Sequence, residues 1–377
     1  MCSFVEHPEE TMSQTTMRVP VTTVRAFVKD VFISLGVPEK EAQICEDVLV
    51  SSDLRGIDSH GIGRLFMYHE RIREGVQHAR TQFEVVKETE TTATVDGHHG
   101  MGHVIAHRSM EMAIEKAHRY GLGAVAVRNS THYGFAGYYP IMATRHEMMG
   151  LTVTNARPSV PPTFSSEPML GTNPITFAAP SDLPFPFVID AATSISQRGK
   201  IEHLERIGKK TPDGWAIHPN GQAHTETSRL LNDLLSGKAA LLPLGGVDER
   251  LGGHKGYGYA TMVEILSAAL SGGSFMKDLM GFTDEGVRSP YRLGHFFLAV
   301  DLAHFIDPAV SRAITGSIMR GLQEARKLPG YDRIYVAGEK EYEEEQRRLK
   351  EGIPVSATLR ARLNGIAEDL QLTQYRF

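Results

Sequence analysis

Short apolar runs alternate with helical periodicity through the middle of this chain, and that alternation constrains the fold more than any other feature. Residues 83–95 alternate and then meet Asp96–Gly97, which predicts a strand ending in a turn. Residues 103–120 carry the helical pattern and stop at Gly121. Short strands are predicted over 124–127, 151–154, 176–179 and 187–189, then a helix over 258–270 and a strand over 295–300. Such interleaving predicts an α/β sheet with flanking helices. Towards the chain ends the pattern is helical, over 19–35, 39–54, 65–72, 308–322 and 342–349. Residues 197–238 are polar and read as an exposed insertion or small helical subdomain.

Composition matters chiefly for what it excludes. Forty Lys and Arg against 45 Asp and Glu leave a net charge of −5, with no basic stripe for nucleic acid. The longest apolar stretches, around 262–270 and 295–305, carry Glu264 and Asp301 and fall short of the ~18 residues that span a bilayer. Two cysteines, Cys2 and Cys45, make no disulfide framework, so a reducing, cytoplasmic compartment is expected. The acidic first residues lack the basic-then-apolar pattern of a targeting peptide. Glycine is in excess, 36 of 377 residues, which points to tight turns or to backbone lying close to a ligand.

Two familiar nucleotide signatures are missing. Gly121-Leu-Gly123 precedes a strand, whereas a dinucleotide fingerprint must follow one to aim a helix N-terminus at the pyrophosphate. Gly256-Tyr-Gly258 lacks a third glycine, and there is no Walker A sequence and no Gly-x-Ser-x-Gly elbow. His99, His103 and His107 would share one helix face, but glycines interrupt it and no acidic residue lies within the run. No metal ligand set is assigned.

The richest chemistry lies in DLRGIDSHGIGR, residues 53–64. It gathers a histidine, a hydroxyl, two carboxylates and two arginines around three glycines. Imidazole exchanges protons near neutral pH, and a guanidinium four residues on can hold a carboxylate bidentately. The same residues equally fit a capped helix–helix turn held by a buried salt bridge. His132 follows the 124–127 strand, where ligands sit in α/β sheets. Asn173 lies in a polar turn that could face a cleft. Asp190 ends an apolar strand, as an orienting carboxylate or as a helix N-cap. Gly252-Gly253-His254-Lys255 opens a helix with N–H groups and a cation, suited to phosphate or carboxylate, or forms a surface turn.

Taken in order, DLRGIDSHGIGR, NSTHYGFAGYY, LGTNPITFAAP, DAATS, RGKIE, GGHKGYG and LPGYDRIYVAGEKE closely resemble the malate/L-lactate dehydrogenase family, over residues 20–358. These are non-Rossmann oxidoreductases that include malate, sulfolactate, ureidoglycolate and diketogulonate enzymes and imine reductases. The resemblance implies a non-Rossmann NAD(P)-binding mixed sheet with flanking helices. Residues 1–85 with 308–377 would form a helical domain, 86–196 and 239–307 the cofactor domain, and 197–238 the insertion. It implies His60 as proton donor and acceptor with Ser59 and Asp190 as relay partners. His132 matches the acid/base histidine of the ureidoglycolate branch, so two residues compete for one role. Arg64 resembles a substrate-carboxylate contact, and Asn173 is read as a second substrate contact. Asp190, Thr193, Ser194, His254, Lys255, Gly338, Glu339 and Lys340 match cofactor-contacting segments. The family often has a glycine pair after Pro161–Pro162, where this chain has Thr163-Phe164-Ser165-Ser166.

The expected reaction is hydride transfer between NAD, or NADP, and a small 2-hydroxy/2-oxo acid. Malate and oxaloacetate are favoured because Arg55, Arg64, Arg157 and Lys255 offer cations for two carboxylates. Lactate, sulfolactate, ureidoglycolate and a cyclic imine are the alternatives within the family, and a metal-dependent hydrolase is the rival outside it. The family resemblance also implies a homodimer.

Overall fold

The computed structural model describes residues 16–283 and 285–377; Cys2 and the acidic first residues lie outside them. The core is one seven-stranded mixed sheet in the order β2-β3-β4-β10-β5-β6-β7. Its strands are β2 (Glu84–Glu88), β3 (Thr92–Asp96), β4 (Leu122–Ser130), β5 (Met148–Thr154), β6 (Ile175–Ala179), β7 (Phe187–Ala191) and β10 (Leu293–Asp301). Only β3 and β4 pair in parallel; every other neighbour is antiparallel. The parallel pair needs a crossover, which α4 (Gly102–Tyr120) supplies. It buries Ile105, Met110, Ala113 and Ala117 against the sheet and stops where Gly121 adopts φ 84°, a left-handed cap. With α5 (Tyr138–Thr144), α4 covers one face, and α8 (Gly253–Ala268) packs across β4, β5 and β10. The run expected as one strand over 83–95 is a hairpin, turning at residues 89–91.

A second layer is helical. It comprises α1 (Val21–Ser34), α2 (Glu39–Leu54), α3 (Leu65–Arg73) and α11 (Ala357–Asp369), closed by β1 (Met17–Val19) pairing with β11 (Ile353–Val355). Phe27, Phe32, Leu49, Leu65 and Tyr68 are fully buried in its core. Each such side chain contributes roughly 1.5–3 kcal/mol by leaving water. The C-terminus folds back on α1, with Tyr375 and Phe377 edge-on to Phe27 and the Tyr375 hydroxyl on Asp30 at 2.6 Å.

The expected grouping of the C-terminal helices needs revision. Met319 of α9 (Pro308–Gln323) packs with Phe185 and Val336 beside β7, and Arg320 pairs with Asp182 at 2.9 Å. That helix therefore rides on the sheet edge. Helix α10 (Glu339–Glu351) does reach back to α2. The insertion contains α6 (Arg198–Arg206), α7 (Thr227–Leu235) and the two-residue pair β8 (Ala216–Ile217) and β9 (Ala240–Leu241). Ile201, Leu230, Leu231, Leu234 and Leu241 give it a small core, to which Val160 is added from outside. Among the described residues no helix is long and apolar enough to cross a membrane.

Candidate active site

The turn from α2 to α3 holds the central histidine because it is braced from three sides. Asp53 is buried and accepts from the Ile62 N–H at 2.7 Å, reaching across the turn. A Cβ on Gly61 would lie 1.8 Å from Asp53 Oδ1, so only glycine lets that carboxylate in. Burial, with Asp58 adding to it, pushes the Asp53 carboxyl well above the usual range. From α10, buried Arg348 donates to the Asp53 carbonyl at 2.7 Å and grips both oxygens of Asp58. Arg55 pairs with Glu345 of the same helix at 3.0 Å, which removes it from the expected substrate cations.

So braced, the turn presents Ser59, His60 and Arg64. Ser59 Oγ lies 2.8 Å from His60 Nδ1, the contact expected of a relay partner. Arg64 Nε donates to the Ser59 carbonyl at 2.5 Å. Its guanidinium has no ion pair among the described residues. The start of α6 covers this turn: a Cβ on Gly199 would sit 3.2 Å from Ser59 Cβ and 3.4 Å from an Arg64 terminal nitrogen.

His132 arrives from the end of β4, and its ring stacks on His60 with centroids 5.6 Å apart and planes 14° apart. Its Nδ1 lies 2.6 Å from the Tyr68 hydroxyl and 3.3 Å from the Gly134 N–H. A backbone N–H can only donate, so Nδ1 accepts, and the neutral ring carries its proton on Nε2. No hydrogen bond engages either Nε2 among the described residues. Burial lowers the His60 pKa to about 4, helped by the Arg64 charge. His132 is pushed well below the ordinary value by burial, then by His60 and Arg71. Both rings are thus neutral at pH 7. An anion seated between the arginines offsets their charge and raises both values.

Three members of this site were not singled out from sequence: Tyr68, Arg71 and Tyr291. Arg64, Tyr68 and Arg71 follow one helical stripe, i, i+4 and i+7, and that spacing was the available signal. The Arg71 guanidinium lies 4.3 Å over the Tyr291 ring and has no ion pair among the described residues. Arg157 belongs to the same electrostatic neighbourhood: burial lowers its pKa, Tyr291 opposes this, and Arg198 and Arg71 add to it. Its terminal nitrogen contacts the Leu234 and Leu235 carbonyls at 3.4 Å.

Other expected residues stand apart from the two histidines. Asp190 touches neither histidine; it accepts from the Gly137 N–H at 2.7 Å and lies 3.4 Å from Thr176 Oγ1. Solvent reaches it from one side while protein surrounds the rest, and this partial desolvation pushes its carboxyl up to about 6. Asn173 is fully buried, its amide spent on the Ala260 carbonyl, Glu264 and the Ala156 N–H, so its side chain is closed to a substrate. The Thr193 hydroxyl bonds the Thr172 and Asn173 carbonyls at 3.0 Å, and that of Ser194 the Ser196 carbonyl at 2.7 Å. Glu339 is buried on the Val336 N–H, Gln323 and Arg333. Gly338, at φ 93°, lets α10 start against β7: a Cβ would meet the Pro186 carbonyl at 3.0 Å. Lys340 lies over the Tyr335 ring at 4.6 Å.

A dinucleotide fits what remains. Helix α8 begins after Gly252, at φ 85°, with no side-chain cap. His254 and Lys255 are exposed there, and the His254 N–H has no partner among the described residues. A free N–H at a sixteen-residue helix start beside a lysine suits a pyrophosphate. Residues 163–166 form a loop with Phe164 exposed at φ 69° and Ser166 bonded to the Pro219 carbonyl at 2.8 Å, so this departure from the family pattern lies against the insertion. His99 precedes α4, His103 is buried and His107 pairs with Glu111, so the three do not converge. The apolar depression on α9 lined by Val310, Ala313, Ile314, Ser317 and Ile318 has no titratable group and is no site of chemistry.

The family model described as malate/L-lactate dehydrogenase matches residues 19–364. The chain belongs to that family. The malate dehydrogenase of Pyrococcus horikoshii is 42% identical over 93% of this chain and 95% of its own. An L-sulfolactate dehydrogenase from Methanothermobacter thermautotrophicus is 34% identical over 94% and 98%. The crystal structure of malate dehydrogenase from Entamoeba histolytica superposes with a TM-score of 0.92 at 41% identity, covering 94% of this chain and 98% of that one.

Proposed function

We propose that this NAD(P)-dependent dehydrogenase interconverts malate and oxaloacetate. The observation that carries the reading is the stacked His60–His132 pair, flanked by Arg64 and Arg71 with neither arginine in an ion pair. Two such cations suit a substrate with two anionic groups, and Arg64 would orient the carboxylate beside the reacting carbon. When bound, the dinucleotide accepts the hydride from that carbon or returns it. His60, donating through Nδ1 to Ser59 Oγ, keeps a bare Nε2 to take the hydroxyl proton. His132, its Nδ1 occupied, offers Nε2–H to the same oxygen. Buried Tyr68 holds that second ring in place. Asp190, Thr193 and Ser194 would shape the nicotinamide end of the cleft, and α8 the pyrophosphate end. Gly338, whose backbone lies beside β7, and Lys340 would contribute further cofactor contacts.

Steady-state turnover on malate, sulfolactate and lactate, each with NAD and NADP, tests the reading. Malate should exceed lactate in kcat/KM by about 30-fold or more, the worth of roughly 2 kcal/mol for one charge-assisted pair, and Arg71→Gln should erase that ratio. Equal use of lactate and malate would overturn the dicarboxylate reading.

We further infer a homodimer in the cytoplasm. Val310, Ile314, Ile318 and Leu322 leave an exposed apolar stripe on α9, and Tyr259, Met262 and Ile265 another on α8, which a second copy would cover. Cys45 is a free buried thiol, in keeping with a reducing compartment. Sedimentation at micromolar protein distinguishes dimer from monomer.

A further inference from the structure

The insertion gathers a cluster that the dehydrogenase chemistry does not use. His218 and His224 flank the turn after β8, where the His218 N–H bonds the Gln222 carbonyl and the His224 N–H the Ala216 carbonyl. Their rings stack with centroids 3.9 Å apart. Asp233, in the last turn of α7, brings Oδ2 to 2.9 Å from His224 Nε2. One donor atom from each of the three lies within 4.8 Å of the other two.

We propose that His218, His224 and Asp233 form a binding site for a divalent transition-metal ion of the zinc class, which ties the 218–224 turn to α7. Two imidazoles and one carboxylate make a donor set for such an ion, whereas calcium and magnesium favour oxygen-rich cages. The protein alone leaves this cluster incompletely answered. The His224 side chain is fully buried, and the imidazole of His218 has no hydrogen bond among the described residues. Buried His224 Nδ1 has no hydrogen-bond partner among the described residues. Arg229 also approaches Asp233, at 3.4 Å, but this is an exposed i, i+4 pair that contributes little and can swing away. His218 sits half-exposed on a turn, and its ring would rotate out of the stack to aim a nitrogen at the ion, with water completing the coordination.

The ion's role is structural. It would join the two halves of a subdomain whose core is small, and that subdomain places α6 on the Ser59–Arg64 turn. The His60–His132 pair is not part of the cluster.

The test uses untagged full-length protein, freed of metal with a chelator and titrated with Co²⁺, then with competing Zn²⁺. The wild-type chain should take up one equivalent of Co²⁺ with the visible absorption of a low-coordinate nitrogen–oxygen site, and Zn²⁺ should raise its melting temperature. His218→Ala and Asp233→Asn should each weaken Co²⁺ binding roughly tenfold or more and abolish the Zn²⁺-induced rise, while the metal-free proteins melt like metal-free wild type. No stoichiometric Co²⁺ uptake, or wild-type affinity retained in His218→Ala, would overturn the proposal by placing the ion on other histidines. Should Asp233→Asn fail to fold, His218→Ala alone decides.

Discussion

The turn at residues 53–64 and the loop at 190–196 are both polar motifs beside the cleft, yet they are built in opposite ways. In the first, bracing is delegated to groups that never face the cleft: Asp53 beneath, Gly61 making room, and Arg348 reaching over from α10. His60 and the terminal nitrogens of Arg64 are left free. In the second, the loop's own hydroxyls do the bracing, Thr193 on the Thr172 and Asn173 carbonyls and Ser194 on the Ser196 carbonyl, and only Asp190 is exposed. A polar residue in a functional motif is therefore of two kinds, presented or bracing, and composition does not separate them. What separates them is whether another segment supplies the brace.

The sharpest way to break the first turn is Gly61→Ala. The added methyl displaces the Asp53 carboxylate from the Ile62 N–H, at a cost of roughly 3 kcal/mol for the lost charge-assisted bond. Urea unfolding should show this as a lower midpoint, and malate turnover should fall with it. An unfolding free energy within about 0.5 kcal/mol of wild type, the scale of neutral surface changes, would show that the brace is dispensable.

Acid should weaken the wall behind the site next. His103 packs against Tyr68 with ring centroids 4.6 Å apart, neither of its nitrogens has a partner, and burial lowers its pKa to about 3; His295, beside Tyr133, is also lowered to about 3. Both are neutral when folded and take up protons near pH 6.5 when unfolded. Their contribution is full above about 6.5 and is lost as pH falls towards 3, about 2 kcal/mol for each ring by pH 5. Urea unfolding at pH 7 and 5 measures the slope, to which buried His60 and His132 add, and His103→Leu should remove about 2 kcal/mol of it. An unchanged slope would mean that His103 finds a proton acceptor.

Thr193→Val should do least. Losing its bonds to two carbonyls costs about 1 kcal/mol, and because the hydroxyl faces the loop, the KM for cofactor should not change. A large rise in that KM would move Thr193 into the presented class.

Much of the architecture was legible in the chain itself, for physical reasons that can be named. The helix predicted over 103–120 is Gly102–Tyr120, because one apolar face and a left-handed Gly121 mark it. The β2–β3 hairpin was hidden because its turn, Thr89-Glu90-Thr91, carries no Gly, Pro or Asn. Helix Tyr138–Thr144 was hidden because nearly every residue in it is buried, which erases the amphipathic period. In the site, Ser59 and His60 are neighbours in sequence and could be read together. Tyr68 and His132 are 64 positions apart, and Arg348 and Asp58 are 290 apart, so only folding brings them into contact. Arg71 was within reach, since helical spacing from Arg64 places it on the same stripe.

The central claim is a division of labour within the stacked pair, His60 exchanging the proton and His132 donating to the same oxygen. Malate oxidation by His60→Gln and His132→Gln, with NADH binding followed by fluorescence, tests it most directly. His60→Gln should lose roughly 10²–10⁴ in kcat, as expected for a general acid–base group, while still binding NADH. His132→Gln, which keeps an N–H donor, should lose markedly less. A His60→Gln enzyme that turns over faster than His132→Gln would contradict the assignment and transfer the proton to His132.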